Sequence, residues 1–314
     1  MRRSLFILAL LVSVGASAIE ISLDSLRYAP PEGLDVLVLN KVGFAVGFDG
    51  SVRVPRWAQY ELMKERLNID VISSQDKNNA KFKFDPDAPL CPQDSDYRGS
   101  GKNRGHMVPK ADLKWSRIAY GNSFFFTNIC PQDHVFNAGA WECLEREVRH
   151  FARVYERIVV ITGPIIGSND DKIGSSMVDV PKAFYKVVYA PAQGQMIGFI
   201  APTFASQTAY APSFACSVRE VEEKSGLNFF PSLPSVEQEN LETKCDLDAW
   251  LWRSGTLKEY KREEEKKAVA DIETGFWLIE ASGKRHNSNC QMYRFGRGRF
   301  CSPNEGKPAG CCGG

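Results

Sequence analysis

Residues 96–149 concentrate side chains that can take a proton, hold a metal ion or neutralise a phosphate. The candidate site residues are one histidine, two asparagines, one glutamate and two arginines: His106, Asn128, Asn137, Glu145, Arg104 and Arg149. A histidine that titrates near neutrality can act as a general base. Oxygen ligands suit a hard divalent cation, and arginine matches the oxygens of a phosphate. The region therefore predicts a centre for metal-dependent hydrolysis of phosphodiesters.

The second half of this region predicts a helix that presents several of these side chains together. Four residues recur at intervals of four: Asn137, Trp141, Glu145 and Arg149. In an α-helix each such step drifts by only about 40°, so the four side chains form one slanting stripe. A solvated helix face can show the same residues, and Glu145 with Arg149 is also an ordinary ion pair. A single asparagine suits Mg²⁺ when the ion keeps most of its waters.

His106 is the candidate base, and it follows a glycine-rich segment that lets backbone approach a ligand closely. Taken alone, a histidine on a surface loop is the simpler interpretation. The stripe of residues that follows favours the catalytic interpretation, because a base, a metal ligand and phosphate contacts then fall within one region.

The motifs of this region resemble those of the DNA/RNA non-specific endonucleases, the ββα-metal family that includes secreted bacterial nucleases and mitochondrial endonuclease G. Residues 97–101 lead into Asn103-Arg104-Gly105-His106, where the family has Asp-Arg-Gly-His. Residues 127–132 and 136–145 match two further family motifs. The resemblance covers about residues 43–235, and several motifs in one order make it more specific than a single short pattern.

This resemblance implies an endonuclease that uses Mg²⁺, with Mn²⁺ as a substitute, and hydrolyses DNA and RNA with little sequence preference. The implied roles are general base for His106, direct metal ligand for Asn137, holder of metal-bound water for Glu145, phosphate contact for Arg104 and Arg149, and support of the site for Asn128. The sequence leaves the oligomeric state open, a homodimer included.

The first motif departs from the family pattern at Asn103, where the family has an aspartate. An amide could keep a hydrogen bond but would lose the charge, and this would lower the pKa of His106. The departure suggests one alternative function, a nucleic-acid-binding protein with weak catalysis on the same fold. A phosphodiesterase of small nucleotides is a second alternative. Lys81 is the nearest match to a further basic residue that some family members have.

The alternation of apolar segments and breakers predicts an α+β domain over about residues 30–245, with a central antiparallel sheet flanked by helices. Strands are expected at residues 34–39, 43–48, 123–128, 157–162, 183–189 and 195–200. Helices are expected at residues 56–67, 137–155 and 217–225, and a loop at residues 73–97. The resemblance adds the ββα-metal nuclease fold, with His106 on a β-hairpin that faces the Asn137 helix.

Residues 1–18 have the features of a secretory signal peptide: Arg2-Arg3, a short apolar run and small residues that end at Ala18. We therefore expect a secreted or periplasmic protein without membrane association after cleavage. An uncleaved anchor is disfavoured by the small residues, and a mitochondrial presequence would be longer, amphipathic and spread with arginine. The formal net charge is only +1, so attraction to nucleic acid must come from local basic clusters.

The C-terminal part differs in composition from the body. Residues 246–274 are expected to form a charged helix or linker, and residues 275–314 a small Cys-rich module. Candidate ligands of Zn²⁺, or partners in disulfides, are His286, Cys290, Cys301, Cys311 and Cys312. Disulfides are slightly favoured because export is expected, and Cys216 with Cys245 is a reasonable pair in the body. Basic and aromatic residues at 284–299 suggest an auxiliary grip on nucleic acid, although a solvated basic face is the simpler interpretation.

Overall fold

A computed structural model describes residues 28–168, 170–205, 210–264, 276–287, 289–293, 297–301 and 306–312. The expected signal peptide, residues 1–18, lies outside these ranges. Among the described residues, no helix combines the length and the apolar character needed to cross a membrane.

The body is a mixed α+β domain, as predicted, and its described strands build one large sheet and two small ones. The strands are β1 (Leu37–Lys41), β2 (Phe44–Asp49), β3 (Val54–Met63), β4 (Asn103–His106), β5 (Ile129–Gln132), β6 (Arg157–Ile165), β7 (Asp171–Ile173), β8 (Val178–Val180), β9 (Ala183–Ala190), β10 (Gln195–Pro202) and β11 (Ala215–Cys216). The large sheet has the order β1-β2-β3-β6-β9-β10-β11, and each neighbouring pair is antiparallel. The strands expected at residues 43–48, 157–162, 183–189 and 195–200 are therefore confirmed, whereas β1 begins later than residue 34.

Helices and helical turns connect these strands. Among the described residues, α-helices lie at Lys64–Leu67, Ser74–Asn79, Asp94–Tyr97, Arg117–Asn122, His134–Phe136, Glu142–Tyr155, Val218–Ser225 and Ser235–Glu242. The helix Val218–Ser225 confirms the prediction for residues 217–225. Its first turn is capped by Ser217, whose hydroxyl accepts a hydrogen bond from the Glu220 N–H, and it ends at Gly226 with φ of 72°.

The large sheet is buried on both faces, so each strand sends alternate side chains into two different cores. In β6, Val160 packs in the core on the side of Phe151, which belongs to the helix Glu142–Tyr155. The neighbouring Ile161 packs in the opposite core with Val221. Helices therefore cover both faces of the sheet, and the helix that carries the predicted stripe covers one of them.

The chain between β3 and β6 carries all the candidate site residues. These two strands are neighbours in the sheet, with Tyr60 opposite Val160, yet residues 64–156 separate them in sequence. This long excursion contains β4, β5 and the helix Glu142–Tyr155, and that helix packs on β3 and β6. The sheet therefore anchors both ends of the excursion and positions the site.

The prediction of a helix at residues 56–67 is wrong. Strand β3 occupies most of this segment, and only the short helix Lys64–Leu67 follows it. The apolar spacing suggested a helix, but Trp57 and Tyr60 pack in opposite cores on the two faces of the sheet. A strand buried on both faces shows no clean alternation of apolar and polar residues, and this misled the interpretation.

The strand expected at residues 123–128 is also wrong, although the segment is mostly buried. Its end, Phe126–Asn128, is a 3₁₀ turn that leads into β5. The expected loop at residues 73–97 contains two short helices, Ser74–Asn79 and Asp94–Tyr97, and each starts with a capping box. Short capped helices escape an apolar-periodicity criterion because they bury few side chains.

The described C-terminal residues contain the strands β12 (Phe276–Ile279), β13 (Lys284–Asn287), β14 (Gly298–Phe300) and β15 (Lys307–Pro308). These strands form a separate sheet with the order β14-β12-β13-β15. Before them, Trp250 of the expected linker is 3% exposed, and its ring lies 4.8 Å from the ring of Phe151. The first part of that segment therefore packs on the body. Cys216 and Cys245, expected as a disulfide pair, are both free thiols.

A buried carboxylate, Asp85, holds the excursion against the edge of the sheet. Its Oδ1 accepts a hydrogen bond from Lys41 Nζ at 2.9 Å, and its Oδ2 accepts one from Thr127 Oγ1 at 2.7 Å. The Asp85 side chain has no exposed surface and that of Lys41 is 7% exposed. Breaking a buried ion pair by removing one partner leaves the other charge buried and unpaired.

We expect Asp85→Ala to lower the free energy of unfolding by about 3 kcal/mol, because it leaves the buried Thr127 hydroxyl without its acceptor and the Lys41 ammonium with only the exposed Asp87 carboxylate. Urea denaturation of the purified protein measures this change. Asp87→Ala is the matched control: Asp87 bonds the same ammonium at 2.9 Å, but its side chain is 68% exposed. The control should change the free energy by less than about 1 kcal/mol, and an equal loss in both variants would contradict the assignment to burial.

Candidate active site

The strand that carries His106 pairs with β5 in an antiparallel register that places His106 opposite Ile129. Gly105 lies opposite Cys130, and a Cβ atom at residue 105 would come within 2.0 Å of the Gln132 Oε1 atom. A side chain at this position would therefore collide with the buried side chain of Gln132. The glycine before His106 leaves room for that side chain.

Asn128 fixes the chain that leaves His106. Its side chain is fully buried, its Oδ1 accepts a hydrogen bond from the Val108 N–H at 3.0 Å, and its Nδ2 donates to the Val108 and Ser123 carbonyls at 3.1 and 3.0 Å. Its backbone carbonyl accepts a hydrogen bond from the Met107 N–H at 2.9 Å. Because its amide is committed to backbone groups, Asn128 can position the site but not bind a ligand.

His106 lies between two aromatic rings. The ring centroids of Phe82 and Phe124 are 5.5 and 5.3 Å from that of His106. Its Nε2 atom is buried and has no hydrogen-bond partner among the described residues. Burial, together with the positive charge of Lys110, lowers the pKa of His106 from 6.5 to about 3. The imidazole is therefore neutral at physiological pH, and one nitrogen is free to accept a proton.

Asn103 does not contact His106. Its Nδ2 atom lies 3.1 Å from the Nδ1 atom of His134, which begins the short helix His134–Phe136. The lowered pKa of His106 expected from Asn103 is present, but its cause is burial and Lys110. The contact between Asn103 and His134 therefore leaves His106 available as a proton acceptor.

Asn137 begins a π-helical turn, Asn137–Trp141, rather than the α-helix expected there. The α-helix follows directly as Glu142–Tyr155. Asn137 is partly exposed, and its side-chain amide makes no hydrogen bond within the described part of the chain. Single π-helical turns often occur at functional sites. An unengaged amide oxygen at such a turn fits the ligand that a hydrated divalent cation needs.

Four side chains form a buried charge cluster beside this turn: Asp112, Glu145, Arg149 and Lys186. Arg149 Nη1 lies 2.8 Å from Asp112 Oδ1 and 3.8 Å from Glu145 Oε2. Tyr60 donates its hydroxyl proton to Asp112 Oδ2 at 3.1 Å. The Asp112–Arg149 pair therefore joins the segment that follows His106 to the helix that follows Asn137.

Sequence reasoning missed Lys186, which completes the charge cluster from β9. Its side chain is fully buried, with Nζ 3.2 Å from Thr162 Oγ1 and 4.1 Å from the ring centroid of Trp141. Burial lowers the pKa of Lys186 to about 8, and the negative charges of Glu145 and Asp112 oppose this. Burial also raises the pKa of Glu145 to about 7, while Lys186 and Arg149 act to lower it.

Asp112 and Lys186 were not identified from the sequence, although each had a signal there. Lys186 interrupts an apolar strand, and a lysine is rarely buried unless it is paired. Asp112 follows His106 by six positions and lies in the 3₁₀ turn Lys110–Leu113. Only the folded chain shows that each faces Arg149 or Glu145.

Arg104 lies beside His106 on β4 and is held in place by an acidic partner. Its Nη2 atom is 2.8 Å from Asp94 Oδ1, and its guanidinium lies 5.6 and 5.7 Å from the ring centroids of Tyr97 and Phe82. The side chain is 24% exposed, whereas that of Arg149 is 13% exposed. Arg104 is therefore the more accessible of the two arginines.

The fold and the order of the sequence motifs are those of the ββα-metal family of nucleases. A family model described as DNA/RNA non-specific endonuclease matches residues 22–236, which is more than half of the chain. The chain belongs to this family, as its motifs indicated.

Named relatives agree with this membership. The chain is 32% identical to the mitochondrial nuclease EXOG of Xenopus laevis over 66% of its own length and 62% of the relative's. It is 30% identical to human mitochondrial endonuclease G over 62% of its own length and 69% of the relative's. It is also 30% identical to nuclease C1 of Cunninghamella echinulata over 62% of its own length and 83% of the relative's. The alignment thus spans less than two thirds of the Xenopus laevis protein.

A solved structure supports the same fold. A chain from the crystal structure of the EndoG/EndoGI complex superposes with a TM-score of 0.63 at 27% sequence identity, covering 74% of this chain and 97% of that chain. The mixed fold with its large antiparallel sheet is therefore the fold of the endonuclease G type.

The expected secreted or periplasmic location is wrong. The relatives named EXOG, endonuclease G and nuclease 1 of Schizosaccharomyces pombe are mitochondrial proteins, and they point to mitochondria rather than export. A basic start followed by apolar residues is a composition that different targeting signals share. The signal peptide assigned to residues 1–18 is accordingly not supported.

We expect the imidazole of His106 to titrate far below neutrality, because it packs between two aromatic rings and its Nε2 atom is shielded from water. NMR of the purified protein, following the His106 ring protons from pH 8 to pH 4, should show no midpoint above about 5. The unfolded chain binds this proton near pH 6.5, so the stability that the neutral ring contributes is lost as the pH falls below 6.5.

The control is Phe82→Ala, which opens one side of the His106 ring to water. The His106 midpoint should move toward 6.5 in this variant, since desolvation is the larger cause of its lowered pKa. A midpoint near 6.5 in the unaltered protein would contradict the buried, neutral state of the ring.

Proposed function

We propose that this protein is a Mg²⁺-dependent endonuclease that hydrolyses phosphodiester bonds of DNA and RNA with little sequence preference. The observation that carries the proposal is the buried Nε2 atom of His106, which has no partner among the described residues. Asn128 holds the backbone after His106, and the Asp112–Arg149 pair joins the segment that follows His106 to the helix that follows the Asn137 turn. A neutral base and an unengaged amide ligand on elements held together in this way are suited to activating water.

In this mechanism His106 takes the proton from the attacking water at Nε2. The low pKa of His106 keeps the ring neutral and available across the physiological range, at the cost of a weaker base than a free imidazole. The Asn128 hydrogen bonds hold the backbone after His106, and the rings of Phe82 and Phe124 restrict the imidazole. The base therefore needs little rearrangement before it acts.

Asn137 is the residue that would hold Mg²⁺, which supplies positive charge to the leaving oxygen when bound. Its amide makes no hydrogen bond to another described side chain. Glu145 follows on the next helix and would orient water around the ion, as its carboxylate is paired only loosely, at 3.8 Å, with Arg149. A set of one amide and water suits Mg²⁺, because this ion keeps several of its waters.

Arg104 and Arg149 would supply positive charge to the phosphate. Arg104 is the more exposed, and Asp94 fixes its guanidinium on one side. Arg149 is bound by Asp112 and Glu145 within the charge cluster, so it acts on the phosphate from a more enclosed position. Since these contacts do not involve bases, they favour binding without sequence preference.

The relatives also suggest where the protein acts. We place its activity in mitochondria, because EXOG and endonuclease G are named as mitochondrial nucleases. An inhibitor protein is a plausible kind of partner, since the solved relative is titled as an inhibition complex.

Nicking of a closed circular plasmid tests the proposed function. With Mg²⁺ the purified protein should convert the plasmid to the nicked form, and EDTA should abolish this. His106→Ala should lose at least about 100-fold in rate, because a general base contributes on the order of 10²–10⁴-fold. Asn137→Ala should lose a similar factor and need more Mg²⁺ for its residual rate.

His150→Ala is the matched control for these variants, since His150 lies on the helix Glu142–Tyr155 beyond the site. Its rate should stay within about twofold of the unaltered protein. A folded protein that nicks neither DNA nor RNA, with Mg²⁺ or Mn²⁺, would favour the nucleic-acid-binding alternative. Cleavage of dinucleotides without plasmid nicking would favour the phosphodiesterase alternative.

Arg104→Gln should lower kcat/KM about 10-fold or more and flatten the dependence of log KM on log salt by about one unit, because one phosphate contact is lost. Initial rates at several salt concentrations measure both quantities. Arg98→Gln is the control, since Arg98 pairs with the same Asp94 carboxylate at 3.0 Å but is 78% exposed. Equal effects in the two variants would assign the loss to Asp94 rather than to phosphate binding.

A further inference from the structure

The C-terminal sheet brings four potential metal ligands together at a place remote in sequence from the nuclease centre. The ligand atoms of His286, Cys290, Cys311 and Cys312 all lie within 4.8 Å of one another. His286 Nδ1 is 3.2 Å from Cys290 Sγ, 3.4 Å from Cys311 Sγ and 3.8 Å from Cys312 Sγ. Cys290 Sγ and Cys311 Sγ are 3.4 Å apart.

These separations match a tetrahedral zinc site. Tetrahedral bonds of about 2.3 Å to sulfur and about 2.0 Å to nitrogen place neighbouring ligand atoms about 3.5–3.8 Å apart. A disulfide would require the two sulfurs to lie about 2.05 Å from each other, and Cys290 and Cys311 are well beyond this. Cys301, the fifth candidate from the sequence, is not in the group.

Two chain segments supply the ligands, and backbone hydrogen bonds hold these segments together. Strand β13 carries His286, and the turn after it carries Cys290, whose N–H donates to the Asn287 carbonyl at 3.0 Å. The Ala309 N–H donates to the Arg285 carbonyl at 2.9 Å and so places the C-terminal turn beside β13. The side chain of Asn287 donates to the Cys312 carbonyl at 2.8 Å.

The adjacent cysteines 311 and 312 can both point at one ion because they lie in a turn. The Cys312 N–H donates to the Ala309 carbonyl at 3.3 Å, and both sulfurs lie within 3.8 Å of the buried ring of His286. Both sulfurs therefore lie beside the same imidazole although the two cysteines are adjacent in sequence. The preference for disulfides rested on export, which the relatives contradict.

The small sheet also needs a source of stability other than a core. Its buried apolar residues, within the described part, are Leu278, Cys301 and Ala309. Units of about 40 residues or fewer usually need a disulfide or a metal to fold. A site with four protein ligands has no open position for substrate, which is typical of structural zinc.

We propose that His286, Cys290, Cys311 and Cys312 bind one structural Zn²⁺ ion that holds the C-terminal sheet together. The ion joins β13 to the C-terminal turn through three thiolates and one neutral imidazole. Each cysteine loses its proton on binding, so affinity for the ion falls as the pH falls.

The test is the metal content of the full chain, purified under reducing conditions without added chelator and measured by elemental analysis. We expect about one zinc ion per chain and nearly none in Cys290→Ser/Cys311→Ser. Cys245→Ser is the matched control, because Cys245 is an exposed free thiol outside the cluster, and it should keep the ion. Asn287→Ala should weaken zinc binding about 10-fold, because it releases the Cys312 carbonyl.

Cobalt substitution of the unaltered protein keeps the proposal testable if the double variant fails to fold. Co²⁺ bound by three thiolates in a tetrahedral site should give intense visible bands and thiolate charge-transfer absorption, and Zn²⁺ should displace it. The proposal would be overturned if the purified chain contains no zinc and its cobalt-treated form shows no such bands. Zinc retained by the double variant, or a Cys290–Cys311 disulfide in peptide mass spectrometry of the native protein, would overturn it as well.

Discussion

The ion pair between Asp112 and Arg149 is the contact on which the geometry of the nuclease centre depends. It joins the segment that follows His106 to the helix that follows Asn137, over a distance of 2.8 Å. Buried charges are costly unless they are paired and hydrogen-bonded, and here Tyr60 satisfies the second oxygen of Asp112. The pair therefore holds the two segments against each other, and with them the proposed base and the proposed metal ligand.

Lys186 extends this constraint to the large sheet. It comes from β9, and its buried ammonium lies over the ring of Trp141, next to the π-helical turn. Asp112, Glu145, Arg149 and Lys186 balance two negative and two positive charges from three separate parts of the chain. Such a cluster adds little net stability compared with apolar packing, so we attribute its presence to the positioning of the site.

The sequence allowed the local parts of this centre to be predicted, because motifs and helical spacing are local properties. The proposed roles of His106, Asn137 and Glu145 come from such patterns, and the predicted helix is confirmed from Glu142 to Tyr155. Lys186 and Asp112 were missed, since their pairing with Glu145 and Arg149 depends on contacts between distant segments. The wrong helix at residues 56–67 has a related cause: burial of β3 on both faces is a property of the sheet, which a local pattern does not show. The export prediction failed for another reason, because different targeting signals share their composition.

Burial reverses the usual order of the two titrating groups in the centre. The pKa of His106 falls to about 3 and that of Glu145 rises to about 7, although a free histidine titrates above a free glutamate. A proposed base that stays neutral needs no deprotonation step before it accepts a proton. Desolvation also favours the neutral form of Glu145, while the positive charges of Lys186 and Arg149 favour its carboxylate. Burial therefore favours the neutral form of both groups, and only Glu145 has opposite charges beside it that counter this effect.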